Sequence, residues 1–372
     1  MSYLNVDEVE SALVNLAAAY PAGCELITLP NPSIEGRTSH ALRLGPRAGG
    51  VLPTVMLIGG VHAREWGSCE ILVNLAADML AAQAGQAGLR YGSKDFSATD
   101  IRTVLQRLNI VVFPLVNPDG RHYSQMTEAM WRKNRNPAYA GGSPSCVGVD
   151  INRNFDFLFD FATAFSPQSA VSLYTSADPC NHDVFHGPAP FSEPETQNVR
   201  WLFDSNSRVR WFVDVHSYSE DLLHSWGDDD NQSSDPTMNF RNPAFDGKRG
   251  VPRDAAYREF IRSGDLDTAT YLAGAFRDGL AAVRGKAYVV KTSFDLYPTA
   301  GASDDYAYSR HFVDPGKGKI LSYVVEWGTE FQPPWGEMEL IASDVTSALL
   351  ATSLEAARDA PQIGRASCRE RV

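Results

Sequence analysis

The sequence predicts an α/β protein: a single globular domain whose central, mixed but largely parallel twisted sheet carries helices on both faces. Short apolar runs bounded by glycine or proline recur along the chain, as fully buried strands do. Segments with apolar residues three and four apart lie between them, and strands alternating with helices build parallel sheets. The chemistry-bearing residues fit the same scheme. His62, His216 and Glu326 each fall at or just past the end of an expected strand, where ligands collect in open α/β sheets.

In chain order, residues 7–20 align Val9, Leu13, Leu16, Ala17 and Tyr20 on a helical face and stop at Pro21. Pro53–Gly60 is an apolar run ending in two glycines, the first buried strand. Residues 65–82 follow as a helix, with Ile71, Leu72, Leu75, Met79 and Leu80 on its apolar face. Ala84–Asp100, rich in Gly, Ala and Ser, reads as a surface excursion. Leu108–Leu115, Trp211–His216 and Ile320–Glu326 are the second, third and fourth strands, and a helix over 335–357 closes the fold. The polar stretch Asp228–Asp254 opens with Asp228-Asp229-Asp230 and reads as a long solvated loop, with Ca²⁺ binding as the alternative. No linker or internal repeat divides the chain, so residues 1–362 are expected to form one domain. Ile363–Val372 carries three Arg against one Glu on an otherwise acidic chain and reads as a foreign, adapter-like tail.

The chain has 372 residues and a formal net charge of −12. That balance disfavours nucleic acid and anionic membrane as partners. There is no run of 18 apolar residues, so no membrane-spanning helix is expected. The N-terminus lacks the basic and apolar regions of a signal peptide. Its compartment is therefore open: cytoplasmic, or secreted with a leader removed. Outside the tail the cysteines are Cys24, Cys69, Cys146 and Cys180, with no C-x-x-C pair, which argues against a thiolate metal site. Cys69, in an apolar helical stretch, is expected in the core.

His62 and Glu65 stand three residues apart at a strand-to-helix junction. Imidazole nitrogen and carboxylate oxygen are ordinary Zn²⁺ ligands, and a catalytic zinc takes three protein ligands plus water. His216 is the third candidate, brought near only by folding. Asp150 or Asp214 could orient a ligand imidazole from behind.

Seven segments then carry a resemblance: Gly59–Trp66, Val116–Gly120, Trp131–Arg135, Cys146–Asn154, His216–Ser219, Tyr297–Asp305 and Ser322–Glu326. In this order, spanning about residues 3–357, they resemble the zinc carboxypeptidase family of the carboxypeptidase A and B type. The resemblance implies one Zn²⁺ per chain on His62, Glu65 and His216, with Glu326 as general base and acid. Glu330, four residues on, is a second candidate base. It implies Arg135 at the oxyanion, with Arg132 assisting substrate binding. Asn152, Arg153 and Tyr297 would hold the substrate's terminal carboxylate, while Arg64, Ser217, Tyr218 and Phe331 line more distant subsites. Cys146 and Cys180 match positions joined by a disulfide, which needs an oxidising compartment. Asp304 falls where B types carry an aspartate, implying preference for C-terminal Lys or Arg, with dual specificity as the rival. The expected substrates are peptide or protein C-termini, and the expected state is a monomer. An amide hydrolase acting on N-acyl amino acids or cell-wall peptides, and an inactive binding module, remain alternatives on the same scaffold.

Overall fold

The structure, a computed structural model, describes residues 3–46 and 52–369, with side chains of the last helix described to Arg358. Only part of the expected foreign tail falls within it, as helical backbone. The sheet has eight strands: β1 Cys24–Thr28, β2 His40–Leu44, β3 Thr54–Gly59, β4 Asn109–Phe113, β5 Val209–His216, β6 Asp221–His224, β7 Val289–Thr292 and β8 Leu321–Glu326. Their order across the sheet is β1-β2-β4-β3-β5-β8-β6-β7. The pairings β4/β3, β3/β5, β5/β8 and β6/β7 are parallel, and the other three antiparallel. The mixed, largely parallel architecture is as expected.

Period-two burial explains why helices cover both faces. Trp211 and Val213 of β5 point toward Leu272 and Phe276 of the helix Ser263–Arg284 and Leu349 of the helix Trp335–Arg369. Phe212, between them, points the other way and meets Phe203 of the helix Pro194–Ser205 at 5.1 Å between ring centroids. All three strand residues are nearly inaccessible to solvent. Full burial of such side chains stabilises by about 1.5–3 kcal/mol each.

The stretch Trp335–Arg358 is long and apolar enough to cross a membrane by length and composition, yet 72% of its apolar window is buried in the fold. It packs on the helices Gly67–Gly85, Ala98–Arg107 and Ser263–Arg284, as a core helix does.

Residues 84–100 lie largely at the surface, as expected, and carry regular structure. Leu89–Tyr91 pairs with Lys94–Phe96 as a hairpin, and Ser97 caps the helix Ala98–Arg107 through a reciprocal bond with Asp100. The loop after β6 is not solvated at its acidic start, because Asp228 and Asp229 are wholly buried. Backbone supplies the solvation that water would have given: Asp229 accepts from Gly250 N at 2.6 Å and from Asp230 N at 2.8 Å. Among the described residues, only His62, Glu65 and His216 converge closely enough to hold a metal ion.

Candidate metal centre and substrate cleft

The carboxyl ends of β3, β5 and β8 lie side by side, with Gly59 opposite Val215 and His216 opposite Glu326. After β3 the chain must turn sharply. Gly60 takes φ +61°, and a Cβ there would sit 3.1 Å from both Cys69 Sγ and Pro114 O. This turn delivers His62 and, in the turn before the helix Gly67–Gly85, Glu65.

The three expected ligands meet. His62 Nδ1 is 2.7 Å from Glu65 Oε1, His216 Nδ1 is 2.9 Å from Glu65 Oε2, and the two Nδ1 atoms are 3.0 Å apart. All three residues are buried. Each ring turns its other nitrogen outward. His62 Nε2 donates to Asp150 Oδ1 at 3.2 Å, and His216 Nε2 reaches Asp214 Oδ2 at 2.9 Å. Both aspartates thus orient an imidazole, fixing the tautomer that leaves the Nδ1 lone pair facing inward. Two inward lone pairs and a carboxylate form a donor set suited to zinc. Burial alone would raise Glu65, but the flanking His62 and His216 hold its carboxyl well below the usual range.

Asp214 also accepts from Ser303 Oγ at 2.6 Å, and Ser303 N donates to Asn152 Oδ1 at 2.8 Å. Ser303, which the motifs did not single out, therefore ties the helix Ser303–Val313 to both His216 and Asn152.

Arg132 is the arginine at the centre. Ala63 N bonds Arg132 O at 3.0 Å, bringing its loop against the His62 turn. Its Nε and Nη2 bind Asp150 Oδ2 at 3.0 and 2.9 Å, leaving Nη1 3.3 Å from His62 Nδ1. Arg135, expected at the oxyanion, is elsewhere. Its guanidinium lies over the rings of Tyr123 at 3.6 Å and Trp131 at 4.6 Å. The chain through Trp131–Arg135 is neither helix nor strand. Spacing alone therefore could not say which arginine faces the metal ligands.

Glu326 ends β8 on the floor of the site, partly open to solvent yet ringed by protein. Burial pushes its carboxyl up to about 8, against the pull of His216. Glu330, the second candidate base, is exposed. Beside the ligands opens a cleft of about 480 Å³ lined by Arg64, Arg132, Arg153, Tyr174 and Tyr297. Arg64 lies 4.4 Å over the Phe331 ring, which meets Tyr218 at 4.8 Å, so these three form one cluster. Ser217 contributes its backbone N–H to Glu65 Oε2 at 3.2 Å. Asp304 is 2% exposed and accepts from Ser293 Oγ at 2.6 Å. Burial raises its carboxyl, and among the described residues no cationic side chain pairs with it. Cys146 and Cys180 form a disulfide, while Cys24 and Cys69 are free and buried.

A buried two-histidine, one-glutamate centre at parallel strand ends, with a carboxylate and an arginine beside it, defines a metal-dependent hydrolase. The chain belongs to the zinc carboxypeptidase family, whose pattern matches residues 9–348. Membership makes it a metallocarboxypeptidase-type hydrolase, with zinc as the cofactor and peptide C-termini as the substrate class.

The chain is 31% identical over 310 residues to carboxypeptidase B of Astacus astacus, covering 82% of each chain. It is 33% identical over 226 residues to carboxypeptidase A2 of Rattus norvegicus, covering 61% of this chain and 47% of that one. Among solved structures, carboxypeptidase A of Helicoverpa armigera aligns with TM-score 0.69 at 22% identity, over 95% of this chain and 73% of that one. Bovine thrombin-activatable fibrinolysis inhibitor aligns with TM-score 0.69 at 20% identity, over 96% and 98%.

Proposed function

We infer that this chain hydrolyses the last peptide bond of a peptide or protein, releasing one C-terminal amino acid. The observation that carries the reading is the convergence of His62 Nδ1, His216 Nδ1 and the Glu65 carboxylate beside a cleft lined by Arg132, Arg153 and Tyr297. One zinc ion per chain would be held by these three residues. When bound, zinc supplies a Lewis acid and lowers the pKa of a water to about 7.

The chain's own groups do the rest. Glu326 takes a proton from the attacking water and returns it to the departing amine, a role worth roughly 10²–10⁴ in rate. A metal ion held beside Glu326 would favour its ionised form despite burial. Arg132, fixed on Asp150, places a permanent positive charge where the carbonyl oxygen becomes negative. This assigns to Arg132 the oxyanion role expected of Arg135. Asn152, Arg153 and Tyr297 bind the free carboxylate, for which guanidinium provides planar paired donors. An internal peptide bond has no carboxylate to dock, so cleavage is confined to the last residue. Arg64, Tyr218 and Phe331 form the wall for residues further upstream, with Ser217 at its base.

A preference for terminal Lys or Arg is supported by Asp304, a buried carboxylate without a cationic partner among the described residues. A basic side chain would supply that partner. The site residues lie within residues 1–362, which supports a single catalytic domain.

The test is hydrolysis of blocked dipeptides ending in Arg, Lys, Phe, Leu and Glu, before and after chelation. Release of the terminal residue, abolished by chelator and restored by zinc, is expected. Full activity in the exhaustively chelated protein would overturn the reading.

A further inference from the structure

The segment between Arg153 and Cys180 contributes a residue that no motif singled out. Its short helix Val171–Tyr174 is anchored by Val171, buried in a small cluster with Ala164, Phe165 and Ala300. Ala300 belongs to the loop that carries Tyr297. Backbone bonds tie the two segments further: Phe155 N donates to Gly301 O at 3.1 Å, and Gly301 N to Phe157 O at 2.8 Å. The approach is so close that a Cβ on Gly301, at φ +68°, would lie 2.1 Å from Arg153 O. The Tyr297 loop and the segment after Arg153 are therefore packed as one body.

At the end of that helix the Tyr174 ring stacks on Tyr297, with centroids 4.1 Å apart and planes 10° from parallel. The carbonyl of Tyr174 accepts Arg153 Nε at 2.5 Å, while Arg153 Nη1 donates to Asn152 O at 2.6 Å. The two backbone acceptors bind different nitrogens of the guanidinium. They fix its plane and leave Nη2 without a protein partner among the described residues. Both tyrosines and Arg153 line the same cleft.

We propose that Tyr174 is a positioning residue for the substrate's terminal carboxylate: its ring holds Tyr297 over the cleft before substrate arrives, and its carbonyl aims Arg153. The proposal rests on the reading of Arg153 and Tyr297 as the carboxylate clamp. A tyrosine held in place beforehand need not be ordered at the moment of binding, so the stack favours substrate capture. Tyr174 need not touch the reacting atoms, and its loss should act on KM more than on kcat.

The experiment measures kcat and KM of the zinc-loaded full chain on the best-cleaved blocked dipeptide. Wild type is compared with Tyr174→Ala, Tyr174→Phe and Arg153→Gln, and Tyr174→Ala is repeated in a Tyr297→Ala background. Tyr174→Ala should raise KM about three- to tenfold, the size of one aromatic stacking contact, with a smaller change in kcat. Tyr174→Phe, which keeps the ring, should match wild type. In the Tyr297→Ala background the effect of Tyr174→Ala on KM should vanish. An unchanged KM in Tyr174→Ala, or an equal rise in the Tyr297→Ala background, overturns the proposal while Arg153→Gln still raises KM. An unchanged KM in Arg153→Gln overturns the clamp reading and the proposal with it. If Tyr174→Ala does not fold, Tyr174→Leu, bulky but without a flat ring, is judged by the same criteria.

Discussion

Replacing Arg132 and Arg135 separately decides which arginine serves the reaction. Arg132 makes two bonds to Asp150 and places Nη1 3.3 Å from Nδ1 of His62. Removing one fixed donor to a developing oxyanion costs about 10²–10³ in kcat, or about 2.7–4 kcal/mol. Arg132→Ala also strips a wholly buried carboxylate of its cation. Burial works to raise Asp150, and Arg132 leads the groups that hold it well below the usual range. Breaking such a buried pair destabilises by about 3–5 kcal/mol. Arg132→Lys separates the two effects, since a point charge preserves part of the pairing but not the planar fork. Arg135→Ala should lose only its stacking on Tyr123 and Trp131, worth about 0.5–2 kcal/mol per ring. The assay is steady-state hydrolysis of a blocked dipeptide, with bound zinc and Tm recorded for each variant. Both Arg132 variants should lose kcat by about 10²–10³, with Lys recovering Tm, while Arg135→Ala keeps kcat near wild type. A hundredfold loss in Arg135→Ala, with kcat preserved in Arg132→Lys and Arg132→Ala, would refute the assignment.

Three further outcomes are expected. Glu195 is buried beside Glu193, both accepting from Asn134 Nδ2, and burial followed by the Glu193 charge pushes its carboxyl from 4.5 up to about 8. The folded state therefore binds the extra proton, and this contribution is full below about 4.5 and lost as pH rises to about 8. Glu195→Gln should flatten the fall of unfolding free energy over that window by up to about 1.4 kcal/mol per pH unit, read from denaturant melts. An unchanged slope would show that Glu195 does not carry the proton. The Cys146–Cys180 bridge closes 34 residues, so Cys146→Ser with Cys180→Ser should lower stability by about 3–4 kcal/mol on the chain-entropy model. Equal denaturation midpoints with equal slopes would contradict this. Asp304→Ala should cut kcat/KM for C-terminal Arg by roughly 30- to 5000-fold, the cost of losing a buried charge partner, and spare C-terminal Leu. Retained Arg-to-Leu selectivity would remove Asp304 as the residue that reads the side chain.

How far the sequence revealed this depended on whether burial left a pattern. β3, β4, β5 and β8 are covered on both faces, so they read as unbroken apolar runs. β1 was invisible because Cys24-Glu25-Leu26-Ile27-Thr28 mixes buried and exposed positions on an edge strand. The three converging residues were legible because strand ends fix their place: His62 follows β3, His216 ends β5, and both meet Glu65. Arg132 and Arg135 sit in an irregular stretch, where which side chain faces inward depends on a distant backbone bond, Ala63 N to Arg132 O. Asp228 and Asp229 misled because an acidic triplet ordinarily seeks water, and the amides of Gly250 and Asp230 that satisfy Asp229 leave no mark in composition. Tyr174 carried no signal at all, since its role depends on a ring contact across more than a hundred residues.

Anomalous scattering at the zinc edge from crystals of the zinc-loaded chain tests the central claim most directly. The account predicts one strong peak per chain, about 2.0–2.2 Å from His62 Nδ1, His216 Nδ1 and a Glu65 oxygen. The Nε2 atoms should stay turned to Asp150 and Asp214. A peak on the Nε2 side of either histidine, or full zinc occupancy elsewhere with none at these three residues, would contradict it.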